Sequence, residues 1–398
     1  MGPRQRRPLR IPATREGRRL GHGRISHMTH SDTHRDSFRF GVEAEYQLAD
    51  AETFRPLWHQ DLSFEELNQV LESIAVDDLP PVVGLELEPP HRKLMPYAVE
   101  GYHVPAPDLS PIDLLPKGIE IRTPVCSSIE QCLATLKTLH DRLETALLGR
   151  GYALVSLSHH PTEHHFEGPQ NKRRYDFWQW AMEVMTTCGP DINVSLPHEL
   201  NDCIDVADLH RKVNYYSPAL AALSLASPIY RGELWSMRGA VGKSIRTYRR
   251  SVIAPAIELH PQENGRMEFK LFEATNQLVD YHAFILLWLT LLLDNELDGR
   301  AHNQTRVYDL GAISRFGLEA ETVRERATAV LTRSPVVLEK YGFDIGPLSV
   351  MQRRLETGRL PADDIIDCFR ETGSLEHVLR LRAGLVDNAD VTPYSFDN

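Results

Sequence analysis

One stretch constrains this chain more than any other: Phe38-Arg-Phe-Gly-Val-Glu-Ala-Glu-Tyr-Gln47. Phe40, Val42, Ala44 and Tyr46 alternate with Gly41, Glu43, Glu45 and Gln47. A period of two is that of a β-strand with one apolar and one polar face. The polar face is unusual, because its two carboxylates point the same way, roughly 7 Å apart. Like charges so placed repel, and a solvated strand more often carries Thr, Lys or Arg there. The pair makes sense facing a cavity that holds cations. Carboxylate oxygens are hard ligands suited to Mg²⁺ or Mn²⁺, and adjacent out-facing positions can serve two ions. A solvated edge strand is the alternative.

The 398 residues have room for one large domain or two ordinary ones, and a 42% apolar composition permits a sizeable core. The net charge of −11 argues against nucleic acid as a partner. The most apolar run, Phe284–Leu293, is too short to span a bilayer, so no membrane partner is expected. Cys126, Cys132, Cys188, Cys203 and Cys368 form no CxxC pair and suit a reducing compartment, the cytoplasm. Residues 1–36 stand apart, with nine arginines against three acidic residues. They read as a disordered basic tail, and Met28 just ahead of the first strand leaves room for a start assigned too far upstream. Residues 37–398 read as a single domain whose last part, 300–398, is helical.

Along that domain, Leu62, Phe64, Leu67, Val70, Leu71 and Ile74 space a short amphipathic helix. Nine prolines between 76 and 118 point to an extended loop or lid, within which Gly84–Glu88 alternates like a brief strand. Gly118-Ile-Glu-Ile-Arg-Thr-Pro124 is a second strand, and Ser127 or Ser128 caps a helix running to Leu148. Tyr152–Leu157 returns as a strand. The following cluster, His159 to His165, offers His159 and His160 either as metal ligands or as an exposed loop. Tyr175–Met185 reads as an aromatic helix, with Trp178 and Trp180 packing in it as Trp235 does further on. Ile192–Leu196 and Arg266–Glu273 are further strands, Val206–Leu225 and 280–295 are helices, and amphipathic helices fill roughly 318–341, 346–357 and 362–385. Short strands separated by long helical excursions indicate an antiparallel α+β fold.

Four of these strands carry acids on their polar faces: Glu43 and Glu45, then Glu120, then Asp191, then Glu268. Asp113 lies at the mouth of the second, seven residues before Glu120. With Arg246, Arg266 and Lys270 they suggest one sheet whose concave face binds metal ions and an anion, the electrostatics of phosphoryl transfer. Gly242-Lys243-Ser244 imitates the end of a P-loop, but Met237 stands where that motif needs its first glycine.

Several segments resemble the glutamate–cysteine ligase superfamily, particularly the family 2 carboxylate–amine ligases. Gly41–Gln47 is similar to its opening Gly-x-Glu-x-Glu-Phe-Gln strand, and Asp113–Cys126 to its acidic pair ending in Thr-Pro-Val-Cys. His160-Pro161, Arg174-Tyr175, Gly189–Leu196, Ser227-Pro228, Ser244-Ile-Arg246 and Arg266–Glu273 resemble later landmarks in the same order, over about residues 38–295.

The resemblance implies a glutamine-synthetase-like funnel: a curved antiparallel sheet with ATP and Mg²⁺ (or Mn²⁺) at its centre. It implies that ATP phosphorylates a glutamate-like carboxylic acid and that an amine attacks the acyl phosphate. By position, Glu43, Glu45, Asp113, Glu120, Asp191 and Glu268 would hold metal. Arg246, Arg266 and Lys270 would bind the cofactor's phosphates or the substrate carboxylate, Arg246 and Lys270 also acting in catalysis. A homo-oligomer is compatible with the family. Asp113 replaces the usual Glu, Asp191 replaces His or Gln, Lys270 replaces Arg, Lys117 stands where Gln is frequent, and Arg122 is unusual beside the acidic strand. These departures leave open which acid and amine are joined. They also leave two alternatives: a nucleotide- and amino-acid-binding pseudoenzyme, or a guanidino kinase on the same fold.

Overall fold

The computed structural model describes residues 37–80, 90–92, 94–106, 110–165 and 183–387. The chain divides into two compact units, Met1–Asp32 and Thr33–Asn398, and every described residue lies in the second. The basic tail, the brief strand at Gly84–Glu88, the Arg174-Tyr175 landmark, Trp178, Trp180 and most of the expected aromatic helix fall outside the described residues.

β1 (Arg39–Asp50) is the axis of a seven-stranded antiparallel sheet. Its burial follows the alternation, with Phe40, Val42, Ala44 and Tyr46 buried while Gly41, Glu43 and Glu45 stay half-buried on the other face. On one flank it pairs with β3 (Pro111–Arg122), which pairs with β2 (Tyr97–Pro105). On the other, its first half pairs with β5 (Pro190–Ser195) and its second half with β4 (Tyr152–Val155). β7 (Arg266–Phe269) continues from β5, and β6 (Ile257–His260) forms the edge. The sheet curls into an antiparallel half-barrel within an α+β fold.

The apolar face packs on helices. α1 (Phe64–Ser73) is capped by Ser63, and α2 (Ile129–Leu148) by Ser128. α3 (Val206–Ala222) and the largely apolar α5 (Leu278–Leu293) complete the layer, with α4 (Ile245–Arg250) between them in the chain. Trp288, Phe272 and Phe284 form its centre, all fully buried. Behind β1, His140 is fully buried and stands edge-on to Tyr46, ring centroids 5.2 Å apart. Burial lowers its pKa to about 4. Among the described residues no helix is long and apolar enough to cross a membrane.

Several expectations need correction. The proline-rich span does not stay a loop: it supplies β2 and β3. Pro105 and Pro111 face each other where the connecting loop joins the two strands, and Pro116 sits at a bulge, positions where a missing N–H costs little. The strand expected over Arg266–Glu273 ends at Phe269, and β6 was not anticipated. The helix expected at 362–385 is two, α9 (Pro361–Thr372) and α10 (Leu375–Leu381), divided at Gly373, whose φ of +62° a glycine adopts without strain. Besides α7 (Val323–Leu338) and α8 (Ser349–Thr357), the helical part contains α6 (Asn303–Phe316), missed for want of a clear apolar stripe.

Candidate functional site

The register of the sheet brings the polar faces of β1, β3, β5 and β7 together. Glu43 faces Asp191 on one side and Arg122 on the other, and Glu45 faces Glu120. β7 places Glu268 opposite Asn193, one step from Asp191. Carboxylate oxygens of Glu43, Asp191 and Glu268 consequently lie within 4.8 Å of one another. Burial, and then the charge of Glu268, raises the pKa of Glu43; burial raises that of Asp191 well above the usual range. Glu268 is held below its ordinary value: burial opposes this, but Lys270 and Arg266 outweigh it. Lys270 Nζ donates to Asp191 Oδ2 at 2.8 Å and to Glu268, and Arg266 Nη1 reaches Glu268 Oε2 at 3.2 Å. Three hard oxygens from three strands fit one Mg²⁺ or Mn²⁺, provided Lys270 swings aside.

The other half of the cup is built differently. β3 carries a bulge, where Glu100 pairs with Gly118 but Gly101 pairs with Pro116. Lys117 is the extra residue, and its ammonium enters the cup. Two glycines make this possible. A Cβ at Gly101 would stand 2.0 Å from Leu115 O, and one at Gly118 would stand 2.0 Å from Tyr46 O. Lys117 Nζ, 5% exposed as a residue, donates to Glu45 Oε1 at 2.9 Å and Thr187 O at 2.8 Å, and lies 3.8 Å from Glu100 Oε2. The second oxygen of Glu45 accepts from Gly189 N at 2.7 Å. Burial alone would raise the Glu45 pKa, yet Lys117 holds it below the ordinary value. Glu120 pairs with Arg122; burial and then Glu100 raise its pKa well above the usual range.

Arg246 is 2% exposed, and its Nε has no hydrogen-bond partner. Its Nη2 approaches Lys270 O at 3.5 Å, and Glu273, Glu45 and Asp191 act on it electrostatically. Burial and then Arg250 lower its pKa to about 10, which keeps it charged at neutral pH. Ser244, the cap of α4, and Ser227 both donate to the fully buried Glu273, so the Ser-Pro and Ser-x-Arg landmarks anchor the helix that bears Arg246.

Of the anticipated residues, Glu43, Asp191, Glu268, Arg266 and Lys270 converge, with Glu45, Glu120 and Arg246 on their flank. Asp113 does not join them. The bulge keeps it on the same face as Glu120, but it lies exposed at the far end of β3, its Oδ1 accepting from Leu114 N. His159 and His160 are neither exposed nor free to bind metal. His160 Nε2 meets Leu57 O at 3.1 Å, and its Nδ1 accepts from Glu163 N at 2.9 Å. His159 Nδ1 meets His160 O at 2.7 Å. Burial lowers their pKa values to about 3 for His159 and about 4 for His160. The imitation P-loop holds no cradle: Lys243 pairs with Asp363.

Glu100, Glu258, His260, Glu263 and Glu273 escaped the sequence reading. A signal existed for three of them. Asn264-Gly265, both at positive φ, close the β6–β7 hairpin that presents Glu258, His260 and Glu263 to the cup, and Asn-Gly between alternating runs is a strong hairpin signature. A cleft of about 650 Å³ opens beside the acidic trio, lined by Arg39, Glu43, Arg122, Asn193, His260 and Arg266 among others.

A curled antiparallel sheet with carboxylates and guanidinium groups on its concave face defines the glutamine-synthetase-like ligase fold. The chain belongs to glutamate–cysteine ligase family 2, whose family model matches residues 39–271. Over 211 residues it is 30% identical to a protein of Jannaschia sp. named "Putative glutamate--cysteine ligase 2", a match covering 51% of this chain and 44% of that one. A protein of the same name from Rhodospirillum rubrum is 30% identical over 126 residues, 30% of this chain and 31% of its own. The chain thus spans less than half the length of the curated relatives it matches. Among solved structures, glutamate–cysteine ligase from Francisella tularensis in complex with AMP superimposes with a TM-score of 0.57 at 11% identity, covering 87% of each chain. A bifunctional glutathione synthetase from Pasteurella multocida superimposes at 0.54 and 14%, covering 87% of this chain and 52% of that one. These likenesses show the fold.

Proposed function

We propose that the protein is an ATP-dependent carboxylate–amine ligase that joins a glutamate-like acid to an amine through an acyl phosphate. The observation that carries this reading is the meeting of Glu43, Asp191 and Glu268 from three strands within 4.8 Å, beside an arginine-lined cleft. A carboxylate is a poor electrophile, because attack on it must expel oxide. Phosphorylation supplies a better leaving group, and it requires that crowded phosphate charge be neutralised.

Glu43, Asp191 and Glu268 would hold one Mg²⁺ or Mn²⁺, which when bound would offset phosphate charge. Arg246, buried and short of hydrogen bonds, offers its guanidinium to an anionic oxygen. Arg266 is steadied by Asn193 Oδ1 at 2.7 Å and Glu263 Oε2 at 2.8 Å, and lines the cleft where a substrate carboxylate would lie. The names of the relatives suggest glutamate and cysteine as the first pair to try. The five cysteines are all free thiols, which fits the cytoplasm as the place of action.

One observation favours a second reading. The Lys270 ammonium sits between Asp191 and Glu268, where an ion would bind. A nucleotide-binding pseudoenzyme would keep it there. A coupled ADP-release screen of amino acids in pairs, with Mg²⁺, separates the two readings. The ligase gives ADP only when both substrates are present, and loses that activity in Glu43→Ala and Glu268→Ala. Nucleotide binding without ADP for any pair would establish the pseudoenzyme.

A further inference from the structure

In the Glu45 half of the cup the carboxylates already have cationic or N–H partners. Glu45 spends one oxygen on Lys117 and the other on the Gly189 N–H, and Glu120 is taken by Arg122. Lys117 Nζ is surrounded as a bound cation would be, by Glu45 Oε1 at 2.9 Å, Thr187 O at 2.8 Å and Glu100 Oε2 at 3.8 Å. These are three hard oxygens, one of them a backbone carbonyl, of the kind that bind Mg²⁺ or Mn²⁺. The side chain is nine-tenths buried and reaches this place only because the bulge, with Gly101 and Gly118, turns it inward.

We propose that Lys117 is a resident cation of the site, standing in the place of a divalent ion among Glu45, Glu100 and Thr187 O. The protein then takes divalent metal at the Glu43–Asp191–Glu268 side of the cup and not at the Glu45 side. The consequence is chemical: part of the cup's positive charge is covalently attached and does not dissociate with the metal. A lysine in this position also fixes Glu45 as an acceptor that holds the Gly189 turn, rather than as a ligand. The inference rests on the ligase reading only for the expectation of several ions, and its test needs no turnover.

The test is a count of Mn²⁺ bound per full-length chain by electron paramagnetic resonance, without nucleotide. Glu45→Gln is expected to leave the wild-type count and affinity unchanged, because Glu45 is not a ligand. Lys117→Arg should also leave the count unchanged, since it retains a fixed cation. Lys117→Gln empties the oxygen cage and is expected to bind one Mn²⁺ more than wild type, an increment that the added Glu45→Gln removes. Loss of an ion in Glu45→Gln alone would overturn the proposal, as would a folded Lys117→Gln that gains none. Should Lys117→Gln fail to fold, the Glu45→Gln count decides alone. A protein with no ligase activity would still give these counts, so the two ideas fail separately.

Discussion

The guanidinium of Arg246 lies against Gly189, so closely that a Cβ at position 189 would stand 2.0 Å from Nη2. The same residue donates its N–H to Glu45 at 2.7 Å. One glycine therefore serves both an acid of the cup and the buried cation behind it. Gly189→Ala keeps the N–H but displaces Arg246. A shift of about 1 Å in a positioned group costs on the order of 10²-fold in rate. The expected outcome is a fall of that size in kcat/KM for ADP release, with the thermal midpoint little changed. Wild-type kinetics would remove Arg246 from the chemistry.

Glu273 accepts from Ala226 N at 2.6 Å, Ser227 Oγ at 2.7 Å and Thr247 Oγ1 at 2.8 Å, and also from Ser244 Oγ. Glu273→Gln sets an amide NH₂ among donors that it cannot satisfy. Charge-assisted bonds contribute roughly 1.5–3 kcal/mol each, so a loss of about 3 kcal/mol in urea unfolding is expected. A change below about 1 kcal/mol would mean the donors find other partners.

Gly118 and Gly41 lie on the same face of neighbouring strands but differ in surroundings. A Cβ at Gly118 meets the Tyr46 carbonyl at 2.0 Å, whereas at Gly41 the nearest atom, Asn193 Cβ, is 3.5 Å away. Backbone cannot retreat as a side-chain tip can. Gly118→Ala should lose at least about 2 kcal/mol of stability, while Gly41→Ala stays within about 1 kcal/mol of wild type. Equal effects in chemical denaturation would contradict the close packing of β3 on β1.

His140 has a folded pKa of about 4 against an ordinary 6.5, because burial disfavours its charged form. As pH falls below 6.5 the unfolded chain takes up the proton first, so this group's contribution to stability is lost down to about 4. The slope is about 1.4 kcal/mol per pH unit. Glu43, Glu100, Glu120 and Asp191, all raised, act in the opposite sense, so the wild-type curve alone does not isolate the histidine. His140→Phe should therefore gain about 2 kcal/mol relative to wild type between about pH 7.5 and about pH 5. A difference that does not change with pH would place the proton elsewhere.

Most of the cup was legible because it is written in strand alternation. Glu43 and Glu45 on β1, Asp191 on β5 and Glu268 on β7 each alternate with buried neighbours, so their common orientation follows from local backbone geometry. β6 was obscured by its brevity, and β2 by the prolines around it. Glu273 was only the last residue of the strand expected over Arg266–Glu273. Only the fold reveals that it ends beyond β7, inside a knot of hydroxyls from distant segments.

The sequence by itself determined that Glu43, Glu45, Asp191 and Glu268 turn toward the cup, because a period of two needs nothing beyond neighbouring residues. Tertiary structure alone decided how the cup's charges are shared out: Lys270 to Asp191 and Glu268, Lys117 to Glu45, and Asp113 to solvent. Register and bulges settle those pairings. They depend on how β3 packs on β1 through Gly118, a contact between residues far apart in the chain that no local pattern encodes.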